Sequence, residues 1–251
     1  MTLTLIDHLF VILLALVFPI TDYFSIRKKA KRIDNGENAR RMGFYRRVIA
    51  YEWIYVAVVL VAWFAFGRGA VELGLVPNVT PLALMGYALT LGICVLLVLQ
   101  ARMVLRNSEN RAKLRKEMGW LEALMPHTVA ERDGFDLVSI TAGICEEVFF
   151  RGFATAYLMS LLGAPFWVAA IGSSILFGLA HMYQGPKGIL KTGTVGLIMA
   201  LLYGLTGSLW APMIAHAAMD LCAGRMAFGS LGGETPEDSS PRLAARASAG
   251  I

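Results

Sequence analysis

Apolar stretches alternate with short polar ones along most of the chain, at roughly 5–24, 48–66, 81–103, 136–162, 165–183, 189–206 and 209–228. Each can cross a hydrocarbon core about 30 Å thick as a helix rising about 1.5 Å per residue. The pattern therefore predicts an all-α fold, a polytopic transmembrane helical bundle of about seven spans. It divides into N-terminal spans with basic loops over 1–135, a core over 136–228 and a small, polar tail over 229–251 that is expected to be disordered.

Composition agrees with this reading. The 251 residues are 57% hydrophobic and 16% charged, outside the range of ordinary soluble domains. A formal charge of +5 would suggest nucleic acid in a soluble protein. Here the basic residues cluster between apolar runs, nine of them in RKKAKRIDNGENARRMGFYRR and more in RNSENRAKLRKE. They are topology signals and contacts to anionic lipid headgroups rather than a nucleic-acid surface.

Both basic loops are thereby expected in the cytoplasm, which puts the N-terminus outside and the C-terminus inside. The 67–80 loop holds only Arg68 and Glu72, as an outside loop should, whereas Lys187, Lys191, Arg225, Arg242 and Arg246 fall on the inside. Short loops and compact length suit a bacterial inner-membrane protein. The first run lacks a basic n-region and a small-residue cleavage site, so it is read as a retained span. Cys94, Cys145 and Cys222 lie in apolar segments without metal or redox spacing and are read as inert buried thiols.

An ionisable side chain inside the bilayer costs at least about 2.5 to 3.5 kcal/mol, so Glu146, Glu147, Arg151, His181, His216 and Asp220 in the last four segments need a reason. Glu147 and Arg151, four apart, can neutralise each other on one helix face, and that role could be purely structural. Glu146 points elsewhere and lies about 15 Å into its span. His181 could be a bland interfacial histidine, with Phe177 packing its ring one turn earlier. His216 and Asp220 share a face and could be a helix-internal pair.

Taken together, a glutamate, two histidines and an aspartate on three spans form a hydrolytic constellation if the bundle gathers them around a polar pocket. Glu146 would be a general base on water, His181 would orient that water, and His216, held by Asp220, would donate to an oxyanion. A proton-coupled transporter would also use such residues, but no repeat relates the two halves.

The three motifs in order, EEVFFRG, FGLAH and HAAMD, resemble the CPBP family of intramembrane proteases, which includes the type II CAAX prenyl endopeptidases. The resemblance covers about 136–228 and implies a glutamate-dependent endopeptidase opening to the cytoplasm, acting on a peptide or protein substrate, lipidated or not. It implies Glu146, His181 and His216 at catalytic positions, with Glu147 and Arg151 supporting. Asp220 stands where prenyl endopeptidases have asparagine, and an ionised aspartate cannot donate to an oxyanion. No cofactor is expected. Zinc on Glu146, His181 and His216 is the alternative, although no local chelating motif is present. A non-enzymatic adaptor or immunity protein keeping the same fold is the alternative function.

Overall fold

The computed structural model describes residues 1–33 and 38–233. The described residues are mostly helical, without strands, and each of the seven apolar stretches is largely taken up by a helix. Helix α1 is Leu5–Ile33, with a π turn at Leu13–Val17. α2 is Asn38–Ala65, α3 is Pro81–Arg106 and α4 is the short, polar Ser108–Met118. α5 covers 129–162, α6 is Phe166–Ala180, α7 is Pro186–Thr206 and α8 is Trp210–Ser230.

Local sequence explains most of these ends. Thr80 accepts a hydrogen bond from the Ala83 amide and Pro81 fills the first turn, so α3 starts where its capping chemistry dictates. Asn107 caps α4 in the same way through Glu109 and Asn110. Thr128 and Glu131 form a capping box, which begins α5 seven residues before the expected start at 136. Gly163 and Gly207 close α5 and α7 in the left-handed conformation that a residue with a Cβ resists.

Among the described residues, four helices are each long and apolar enough to cross a membrane: Leu5–Ile33, Arg40–Ala65, Pro81–Arg106 and Pro186–Thr206. Phe166–Ala180 is apolar but shorter. Large apolar side chains such as Val61, Leu91, Leu96 and Leu190 stand exposed on the outer faces. In an integral membrane protein this surface meets lipid. The fifth stretch ends at Ala180 rather than 183, because the chain tightens into a 3-10 turn over Met182–Gln184. The last helix runs to Ser230 rather than 228. Beyond 233 the expected disordered tail lies outside the described residues.

α8 packs mainly on α5 and also on α3 and α7; α2 lies against α5, and α6 against α7. Gly143 of α5 lets α8 come close, since a Cβ there would meet the Ala217 backbone at 2.7 Å. That close approach, one turn from Glu146 and next to His216, brings the polar residues of the two helices together. Beside them lies an apolar core that includes Trp63, Phe150, Phe153, Phe177, Leu209 and Met213.

Candidate functional site

α5 is not a uniform helix. Val129–Glu147 gives way to a π turn over Val148–Ala154 before the α-helix resumes at Thr155. A π turn widens the ladder by one residue and frees a carbonyl. Here the Phe150 carbonyl accepts from the Thr155 hydroxyl at 2.9 Å and also from the Ser173 hydroxyl of α6. The irregular turn starts directly after Glu147 and contains Arg151.

Glu147 and Arg151 pair as their spacing predicts, Nη1 donating to Oε1 at 3.0 Å, with both side chains essentially unexposed. Arg151 Nη2 also donates to the Gly196 carbonyl of α7 at 3.0 Å, and its guanidinium lies 4.4 Å from the centre of the Phe177 ring. A side chain at 196 would crowd that guanidinium, since a Cβ there would stand 3.1 Å from Nη2.

The partner of His216 differs from the expected one. Its Nδ1–H donates to Glu147 Oε1 at 2.7 Å, whereas Asp220 Oδ2 stays 3.6 Å from Nε2, too far for a direct hydrogen bond. Glu147 therefore holds the imidazole and Asp220 faces its opposite edge. The reason is geometric: Glu147 arrives from α5 across the close helix contact, while Asp220 is fixed one turn along the same helix as the ring. Glu146 Oε2 also faces Nε2, at 3.7 Å, and no hydrogen bond reaches this buried oxygen.

His181 caps the C-terminal end of α6, where its Nδ1–H donates to the Phe177 carbonyl at 2.9 Å and leaves Nε2 available. Phe177 is buried between the two imidazoles, its ring centre 4.9 Å from that of His181 and 5.8 Å from that of His216. Asp220 lies within electrostatic range of His216, Glu146, His181 and Glu147. The structure thus gathers Glu146, Glu147, Arg151, Phe177, His181, His216 and Asp220 from α5, α6 and α8.

Three residues that sequence reasoning passed over lie within electrostatic range of these groups. Tyr183, in the 3-10 turn after His181, stands within electrostatic range of Glu146 and Asp220, and Asp22 of α1 within range of His181. Glu52 of α2 is the third. It is an acid inside an apolar stretch, the same signal that picked out Glu146, but it lacks a neighbouring motif. Among the described residues, no three His, Cys, Asp or Glu side chains are grouped as metal ligands would be.

Residues 135–222 match the family model described as type II CAAX prenyl endopeptidase Rce1-like. The matched segment takes in every residue of the three motifs and supports the resemblance to CAAX-type membrane proteases. No curated protein and no solved structure matches the chain.

Proposed function

With its core over 135–222 in the type II CAAX prenyl endopeptidase Rce1-like family, the chain acts, we propose, as a glutamate-dependent intramembrane endopeptidase that cleaves peptide bonds near the cytoplasmic face. The observation that carries this reading is the pairing of a buried, unbonded Glu146 Oε2 with His216 Nε2 across 3.7 Å, on a ring whose other nitrogen Glu147 already holds.

Glu146 takes a proton from water as the water oxygen attacks the scissile carbonyl, and returns that proton to the leaving amine. His181 Nε2 accepts from the same water and orients it. His216 donates through Nε2 to the carbonyl oxygen as charge develops there. Because its Nδ1–H already donates to Glu147, this donation requires the imidazolium form, which Glu147, Glu146 and Asp220 favour by surrounding the ring with acid groups. Asp220 thus supports a cationic donor rather than donating itself, which accounts for aspartate where an asparagine would serve in prenyl endopeptidases. No metal is needed in this scheme. The substrate is a peptide or protein at the membrane.

Mass spectrometry of membrane peptides from cells carrying wild type or Glu146→Gln tests this. The variant should insert normally and lose cleavage, a fall on the order of 10² to 10⁴ for a general base, and a permeant chelator should leave wild-type cleavage intact. Loss on chelation that zinc restores would replace the glutamate scheme with a metal one. Cleavage products unchanged by Glu146→Gln would favour a non-enzymatic adaptor.

The same reading places seven spans in the membrane, N-terminus outside and C-terminus inside. Asn78→Cys should react with an impermeant thiol reagent in intact cells, and Lys187→Cys should not. The opposite pattern would reverse the orientation and move the site to the other face.

A further inference from the structure

The π turn of α5 is gripped by contacts from outside its own ladder. At its end the Thr155 amide divides its hydrogen bond between the Gly152 and Phe150 carbonyls, so the Phe150 carbonyl keeps capacity that the backbone leaves open. Two hydroxyls take it up. Thr155 donates through Oγ1 at 2.9 Å, and Ser173 donates through Oγ from α6. Both side chains are buried. Ser174, the next residue and also buried, instead donates to the Ala170 carbonyl of its own helix at 2.7 Å. Of two adjacent serines, one serves its own helix and the other crosses to α5.

Ser173 is also the first of three residues that recur at four-residue steps, Ser173, Phe177 and His181, and so share one face of α6. The Phe177 ring lies 5.0 Å from the Phe150 ring and 4.4 Å from the Arg151 guanidinium, while its carbonyl accepts from His181 Nδ1 at 2.9 Å. The face that carries His181 therefore grips the turn that carries Arg151. Register matters there, because a π turn is one extra residue in a helical ladder and moving it by one position swings the residue it passes by about 100°. Arg151 lies inside the turn and reaches both Glu147 Oε1 and the Gly196 carbonyl, each at 3.0 Å. Glu147 Oε1 in turn accepts from His216 Nδ1 at 2.7 Å. A shifted turn would withdraw Arg151 and leave Glu147 free to leave the His216 ring.

We propose that Ser173 and Thr155 are positioning residues of the hydrolytic site: their hydroxyls, meeting on the Phe150 carbonyl, hold the π turn in register so that Arg151 fixes Glu147 and Glu147 fixes the His216 ring. The inference rests on His216 acting in hydrolysis. Both hydroxyls act through Arg151, and Ser173 couples the helix that ends in His181 to the helix that carries Glu146.

The test compares Ser173→Ala, Thr155→Val, their combination, Thr155→Ser and Ser174→Ala in the full-length protein, with Glu146→Gln as reference. The substrates are an internally quenched peptide ending in a farnesylated cysteine and three further residues, and the same peptide unmodified. Deuterium uptake by the backbone amides of 148–155 is followed alongside. Loss of either hydroxyl should lower kcat about 3- to 10-fold, the size of one hydrogen bond, with KM unchanged, and the combination should lower it about 10- to 100-fold. Uptake over 148–155 should quicken in the same order. Thr155→Ser keeps the donor and should keep the rate. Ser174→Ala removes a buried hydroxyl of the same helix without touching the turn, and should match wild type in both readings. In an Arg151→Lys background, where the ammonium cannot span Glu147 and Gly196 as the guanidinium fork does, Ser173→Ala should cost little further.

Wild-type kcat in the combined variant, a Ser174→Ala loss as large as that of Ser173→Ala, a Thr155→Ser loss matching Thr155→Val, or an additive loss in the Arg151→Lys background would each overturn the proposal. If Glu146→Gln cleaves the peptides as wild type does, the hydrolytic reading has failed instead. If Glu146→Gln is inactive while the combined variant turns over at the wild-type rate, only the role of the two hydroxyls has failed.

Discussion

Two buried ionic clusters in this bundle are built in opposite ways. Near the loop that precedes α5, Arg41 donates through Nε to the Ala123 carbonyl at 2.9 Å and through Nη1 to Glu131 Oε1 at 2.7 Å. The other Glu131 oxygen accepts from the His127 and Thr128 amides at 2.9 and 3.0 Å. Both oxygens of that acid are filled. Around Glu147, by contrast, Glu52 Oε2, Glu146 Oε2, Glu147 Oε2 and Arg151 Nε are all buried without a partner. A saturated cluster fastens elements together, since every desolvated group has found a substitute for water. An unsaturated one stores unmet hydrogen-bonding capacity, which substrate and water can meet.

The sharpest way to break this contrast is at His216. His216→Ala should cost on the order of 10² to 10³ in kcat, the loss seen when an oxyanion donor is removed, with little change in thermal stability. Glu147→Gln should cost nearly as much, because the ring loses the carboxylate that orients it and stabilises its cation. The double variant should be little worse than either, since residues acting as one unit are not additive. Asp220→Ala should cost less than His216→Ala, about tenfold for a charge acting on the imidazolium across 3.6 Å, and Asp220→Asn less again. Measured kcat for the four single variants and the His216 and Glu147 pair decides it. Additive losses in that pair, or an Asp220→Ala loss matching His216→Ala, would return the holding role from Glu147 to Asp220.

Sequence legibility follows the same divide. The seven apolar stretches could be read because lipid-facing helices advertise themselves by composition alone, and Glu147 with Arg151 because a four-residue spacing fixes a shared helix face. The same logic misassigned the partner of His216. Asp220 is also four residues away, but spacing within one helix cannot show that Glu147 arrives from another and takes the Nδ1 edge. Glu52 escaped for a related reason: a single acid in a stretch without a motif acquires meaning only when α2 is laid against α5. The π turn after Glu147 has no residue signature in VFFRGFA, and the carbonyl it frees is answered by Ser173, far along the sequence. Helix existence was local information, whereas cross-helix partnership was not.

The saturated cluster supplies the complementary test, with no expected effect on chemistry. Burial pushes the Glu131 carboxyl up, but the His127 amide, Arg41 and the Thr128 amide together outweigh it and hold the group below the ordinary glutamate value. A depressed carboxyl contributes stability that is fully present above its unfolded value, about 4.3, and is lost as pH falls through the folded one. Glu131→Gln leaves the Arg41 guanidinium buried without a counter-charge and should cost about 3 to 5 kcal/mol, read as a lowered melting temperature in detergent. Below about pH 4.3 its stability should fall less steeply than that of wild type, because one proton-linked group has been removed. Turnover per folded molecule should match wild type at neutral pH, since Glu131 meets Arg41 and loop amides and none of the groups around His216. A Glu131→Gln protein with unchanged melting and reduced kcat would erase the distinction between the two clusters and make the Arg41 pair part of the site.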